Sequence, residues 1–163
     1  MDQIRSEALN FLDIAEESTY EEMKDYYPKA FKKYIDKGIE LEILNPDLKK
    51  FDLEMLGKAI DYSRDNQFTY LGLQTLYDRY FIHSNNIRYE LPQVFFMRVS
   101  MGLALEEDNK EERAIEFYRL LSSFDYMSST PTLFNSGTKR PQLSSCYLTT
   151  IPDDLDGIFS AMK

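Results

Sequence analysis

The chain has 163 residues, 43% hydrophobic, 14% aromatic and 29% charged, a balance that excludes disordered and fibrous classes and suffices for one domain with a true core. A net charge of −9, a pI near 4.7 and no basic cluster longer than a pair such as Lys49-Lys50 exclude a phosphate-backbone groove for nucleic acid. No apolar run reaches the roughly 18 residues of a membrane span, and Met1 to Arg5 lacks the apolar stretch of a signal peptide, so the expected location is cytoplasmic and no membrane partner is expected.

The stretch from Asp2 to Asp36 is rich in helix formers, and Ser18-Thr19 followed by Glu21 and Glu22 reads as an N-cap with acids in the first turn. Two helices are predicted, with Pro28 interrupting or beginning a turn and Gly38 as a C-terminal stop. Asp52 caps a short amphipathic helix carrying Leu53, Leu56 and Ile60 on one face. Tyr70 to Phe81 continues the helical pattern until His83-Ser84-Asn85-Asn86 breaks it in a turn. Pro92 opens a helix that is apolar almost all round, with Val94, Phe95, Val99, Leu103 and Leu105, which makes it the spine of the core. Asp108-Asn109 then caps a helix bearing Ala114, Phe117, Tyr118 and Leu121 and ending near Tyr126.

From Ser128 the composition changes to Ser, Thr, Pro, Asn and Gly, and residues 128–141 read as a loop. Ser144 to Ile151 reads as a strand, and Asp153-Asp154 as the cap of a last helix over Leu155 to Met162. Chemistry concentrates in loops on rigid scaffolds, so Thr130 to Asp153, with its hydroxyls, one thiol and carboxylates, is the candidate functional region. Hydroxyls and backbone N–H groups there could hold a phosphate or only water. Cys146 has no partner in the chain for an internal disulfide; by itself it reads as a small buried hydrophobe. His83 has no second His or Cys at ligand spacing, so no metal site is expected. The tyrosines follow helical periodicity and read as packing residues.

The run Ser129-Thr130-Pro131-Thr132-Leu133-Phe134-Asn135-Ser136-Gly137-Thr138-Lys139-Arg140-Pro141-Gln142-Leu143-Ser144-Ser145-Cys146, followed by Asp153-Asp154-Leu155-Asp156-Gly157-Ile158, resembles the segment that leads into the first barrel strand of aerobic, class I ribonucleotide reductase large subunits. A weaker similarity runs upstream through Leu91-Pro92-Gln93-Val94 and its flanking helices. The resemblance implies a mainly α fold: a helical N-terminal domain over 1–127, then, over 128–163, a substrate loop with the first strand and helix of an incomplete α/β barrel. It also implies reduction of ribonucleotides to deoxyribonucleotides by thiol and radical chemistry, a redox-active disulfide and allosteric control by nucleotides.

By the same resemblance, Cys146 is the strand cysteine that faces the ribose and ends in a disulfide with a second cysteine. Thr130 and Ser145 are substrate contacts, Thr130 at the diphosphate and Ser145 beside the ribose; otherwise they serve local hydrogen bonding. Asp153 is an effector contact at the specificity site, a role compatible with capping a helix. The implied partners are the remainder of the large subunit as a homodimer, a radical-generating small subunit holding the radical cofactor, a thioredoxin- or glutaredoxin-type reductant, and nucleotide substrate and effector (dNTP or ATP). This chain itself is expected to bind no cofactor.

Such subunits extend several times further and supply the second redox cysteine, the thiyl-radical cysteine and the remaining strands. A lone strand closes no barrel, so the chain by itself is expected to be inactive. Two readings of another kind stay open: a non-catalytic acidic helical interaction module, and a small stand-alone nucleotide-binding protein.

Overall fold

The computed structural model describes residues 2–14 and 23–162; the capping signal read at Ser18-Thr19 lies outside them. Helix α1 spans Asp2–Phe11 and α2 spans Met23–Glu40. Contrary to expectation, α2 runs through Pro28 and does not stop at Gly38. Gly38 instead serves as a contact point: a Cβ there would lie 2.4 Å from Leu44 Cδ1, and the Gly38 carbonyl accepts from both Ile43 N and Leu44 N as the chain turns back.

A 3-10 turn at Pro46–Lys50 leads to α3, Leu53–Ala59, capped as expected by Asp52, whose carboxylate accepts from Glu54 N and Met55 N. A second 3-10 turn at Tyr62–Gln67 precedes α4, Tyr70–Arg79, whose N-cap is Thr69. The turn read at His83 to Asn86 is the tip of a two-stranded hairpin, β1 His83–Ser84 against β2 Ile87–Arg88. Asn85 and Asn86 both sit at positive φ, 50° and 64°, which this tight turn demands and asparagine tolerates.

Helix α5, Pro92–Ala104, is buried along nearly its whole length and packs chiefly on α6, Lys110–Ser122. It is the predicted spine, and Pro92 occupies its first turn, where a missing N–H costs nothing. Phe95, Phe96, Val99 and Met101 from α5 meet Tyr27, Phe31 and Tyr34 of α2, Leu121 of α6 and Leu133 further on in one continuous core. The observed architecture is therefore mainly α, as read from the sequence.

Two differences fall in the candidate region. Residues 130–135, expected within a loop, form α7, Thr130–Asn135, because Pro131 suits the first turn and Leu133 has a core position to fill. Residues 144–151 form no strand and their β-prone side chains stand exposed; a strand is held by a neighbour's backbone, and the described residues supply none. The last helix, α8, Leu155–Ala161, forms where expected, capped by Asp154 rather than Asp153.

Candidate functional site

The turn that follows α7 is welded to the helical core by a buried ion pair. Glu90, just before α5, accepts from Arg98 Nε at 2.7 Å and from Tyr34 Oη at 2.6 Å, both buried, and from the partly buried Ile82 N at 2.9 Å. Burial opposes charge on Arg98, but Glu90 beside it outweighs that and holds the guanidinium firmly protonated. Tyr34 is driven up by burial and then by Glu90, so it stays a neutral donor.

With one side bound to Glu90, Arg98 uses Nη1 to reach the carbonyl of Ser136 at 2.7 Å and Nη2 to reach that of Leu133 at 3.2 Å. These carbonyls at the end of α7 would otherwise be buried acceptors without donors. Ser136 answers by donating Oγ to Val99 O at 2.7 Å. The two backbones cross closely enough that a Cβ on Gly102 would lie 2.1 Å from Gly137 N, while Gly137 has φ +78°. On its other side the turn pairs antiparallel with 43–45: Asn45 N donates to Gly137 O at 3.0 Å and Lys139 N to Ile43 O at 2.9 Å.

Helix α7 in turn ties down the segment that leaves it. Thr132 Oγ1 donates to Leu143 O at 3.1 Å and Asn135 Nδ2 to Gln142 O at 2.8 Å. Beyond Leu143 the chain is exposed through 162 apart from a half-buried Gly157, with Leu148 98% and Leu155 73% accessible. An apolar groove of about 460 Å³ is lined by Leu103 of α5, Phe117, Leu120 and Leu121 of α6, Tyr126 and the start of α7.

Thr130 is the first residue of α7, exposed, with Oγ1 3.3 Å from Tyr80 Oη. Ser145 and Cys146 are exposed on the segment that follows Leu143, and the thiol is free. Asp153 is exposed just ahead of α8. The chain thus sets Thr130 on a rigid mount and carries Ser145, Cys146 and Asp153 away from it on a shared, uncovered stretch. Among the described residues no group of His, Cys, Asp or Glu could hold a metal ion, and no helix is long and apolar enough to cross a membrane.

Residues 66–141, which include α5, α6, α7 and the turn held by Arg98, match the family described as "Ribonucleotide reductase, all-alpha domain". Among curated proteins, the "Ribonucleoside-diphosphate reductase subunit alpha" of Chlamydia muridarum is 54% identical over 144 residues, 88% of this chain and 14% of that protein. That of Chlamydia trachomatis is 49% identical over 163 residues, 99% of this chain and 15% of that protein. That of Helicobacter pylori (strain ATCC 700392 / 26695) is 46% identical over 145 residues, 88% of this chain and 18% of that protein. The chain belongs to the ribonucleotide reductase large-subunit family. It spans less than a fifth of the length of these reductase subunits.

Within this reductase domain, the candidate residues singled out in the sequence are exposed, and the buried polar side chains that anchor α7 and its turn were not among them. Arg98 and Gln93 are the two long polar side chains among the buried residues of α5, and Glu90 lies just upstream; such exceptions inside a buried helix are the signal of an internal polar network. Gln93 marks a second one: its Nε2 donates to Asp65 at 2.9 Å, where Tyr27 Oη donates at 2.7 Å and Arg5 pairs at 3.3 Å. Burial raises Asp65 above the usual carboxylate range despite these donors. Tyr118 Oη extends the network by donating to Gln93 Oε1 and accepting from Asp61 N, both at 2.9 Å.

Proposed function

We propose that this chain forms the N-terminal helical domain and the entry to the catalytic barrel of a class I ribonucleoside-diphosphate reductase large subunit. The single observation that carries the reading is the 49% identity with the Chlamydia trachomatis subunit across 99% of the chain, which takes in the whole stretch from Thr130 to Asp153. A free, exposed thiol at Cys146 is consistent with it.

Cys146 is one of two reducing thiols. Reduction of the ribose 2′-carbon breaks its C–O bond and releases water; the two thiols give up two electrons and two protons and become a disulfide between Cys146 and a cysteine elsewhere in the complete subunit. An external dithiol of the thioredoxin or glutaredoxin type restores the thiols by exchange. Thr130 holds the diphosphate, Ser145 lies beside the ribose, and Asp153 contacts the effector nucleotide at the specificity site. The radical that opens the reaction comes from a small-subunit partner that carries the radical cofactor, and the large subunit works as a homodimer in the cytoplasm, supplying deoxyribonucleotides for DNA replication.

The division of labour follows from rigidity. Thr130 sits on a mount clamped from two sides, suited to fixing an anionic group, whereas the Cys146 segment is long, apolar in part and open, suited to being completed by further strands. The test is a chimera in which residues 1–163 replace the matching segment of the Chlamydia trachomatis subunit, assayed for nucleoside diphosphate reduction with that enzyme's small subunit and dithiothreitol. Retained reduction is expected; a folded chimera that binds the small subunit yet reduces nothing would overturn the reading.

A further inference from the structure

The hydroxyl of Thr130 has a neighbour that nothing in the sequence pattern singled out. Tyr80, the residue that follows α4, lies half-buried with its ring stacked on Phe134 of α7 at 4.9 Å and 14°, and edge-on to Phe95 of α5 at 6.5 Å and 72°. Two aromatic contacts on different helices fix the ring plane, and with it the direction of the phenol oxygen. That oxygen ends 3.3 Å from Thr130 Oγ1. The other hydroxyls at this end of α7 are turned elsewhere: Ser129 Oγ and Thr132 Oγ1 face each other at 3.2 Å, and Thr132 is engaged with Leu143 O.

We propose that Tyr80 is a substrate-positioning residue: its O–H donates to Thr130 Oγ1 and so turns the threonine proton outward to the diphosphate. This rests on the reading of Thr130 as a diphosphate contact. A threonine hydroxyl has one proton and two acceptor sites, and rotates freely unless a partner fixes it. If Thr130 spent its proton on Tyr80, it would present only lone pairs to an anion, which repel it. With Tyr80 as donor, the threonine proton is left for a phosphate oxygen, and polarisation along the pair strengthens that bond. The exposure of Thr130 leaves the outward side of its hydroxyl open to the ligand.

Tyr80 touches no reacting atom, so its loss acts on binding and not on the chemical step. In the complete large subunit, with its small subunit and a dithiol reductant, Tyr80→Phe keeps both ring contacts and removes only the donor. It is expected to raise KM for the nucleoside diphosphate about three- to tenfold while kcat stays within about twofold. Thr130→Ala is expected to raise KM at least as much, and the double variant no more than Thr130→Ala alone, because the tyrosine acts through the threonine. Equilibrium binding of the nucleoside diphosphate should show the same ordering, and thermal melting of Tyr80→Phe should match the parent.

If Thr130→Ala raises KM and Tyr80→Phe does not, the role of Tyr80 is overturned while that of Thr130 stands. If the two effects multiply in the double variant, Tyr80 acts by another route and the proposal fails. If Thr130→Ala leaves KM unchanged, the assignment of Thr130 fails and the role of Tyr80 falls with it.

Discussion

Arg98 on the central helix donates to the carbonyl of Ser136 at 2.7 Å while paired to Glu90 at the same distance, so one guanidinium joins the core to the turn below the candidate site. Replacing it by methionine leaves Glu90 buried without its counter-charge and the Leu133 and Ser136 carbonyls without donors. Arg98→Met is expected to cost about 3–5 kcal/mol in urea denaturation. Adding Glu90→Gln, which removes the stranded charge but keeps an acceptor for Tyr34 and Ile82, should restore part of that loss. A double variant less stable than the single would contradict the ion pair as the source of the effect.

Gly102 offers a test with an unusual sign. At an exposed helix interior, Gly→Ala stabilises by up to about 1 kcal/mol. At Gly102 the new methyl would sit 2.1 Å from Gly137 N and 2.7 Å from Ser136 C, so the expected result is destabilisation by about 1–3 kcal/mol as the turn is pushed off α5. Amide exchange at Asn45 and Lys139, whose N–H groups bridge the turn and residues 43–45, should quicken selectively. Unchanged stability and unchanged exchange would mean that the turn is not seated as described.

Asp65 gives a pH dependence opposite to that of most carboxylates. Its folded value is raised above 3.8 by burial, so the folded state holds the proton more tightly than the unfolded one. The stability it contributes is full below 3.8 and is lost as pH rises through the folded value. Asp65→Asn removes this titration, and the stability of the parent minus that of the variant should fall as pH climbs from just below the ordinary carboxylate range into the window above it. A difference that rises with pH would show the carboxylate to be stabilised by its donors and not opposed by burial.

Tyr27, Tyr34, Tyr89 and Tyr118, all in the core, are held neutral chiefly by burial, with Tyr118 pushed up to about 12. Since their folded values lie above the ordinary 10, the stability they lend is complete below that pH and is lost as pH passes through the raised values. Ultraviolet titration of the phenolates should show these four appearing only with unfolding. All 12 titrating near pH 10 in the folded chain would contradict the buried networks.

How far these features could be read in advance depended on their range. The spine α5, the Asp52 cap and the final helix rest on local chemistry, a proline in a first turn, a carboxylate two or three residues before its N–H donors, and apolar periodicity, and each stands where the local rules put it. Helix α7 was hidden by its loop-like composition, because what makes it helical is a place in the core for Leu133 and a donor for its last carbonyls in Arg98, 35 residues away. Gly38 looked like a stop because its packing against Leu44 is a tertiary matter. Residues 144–151 have strand composition but no neighbour among the described residues, and composition cannot supply one. Thr130, Ser145, Cys146 and Asp153 stand as candidates only through the resemblance of their surroundings to one enzyme family, whereas Tyr80 and Arg98 become visible once distant helices are brought together.

The function proposed for this segment rests on the thiol of Cys146. In the complete large subunit, supplied with its small subunit, a nucleoside diphosphate and a dithiol reductant, Cys146→Ser should abolish deoxynucleotide formation while nucleotide binding and melting temperature stay those of the parent. Turnover undiminished by the substitution would remove Cys146 from the reduction and, with it, the function proposed for this segment.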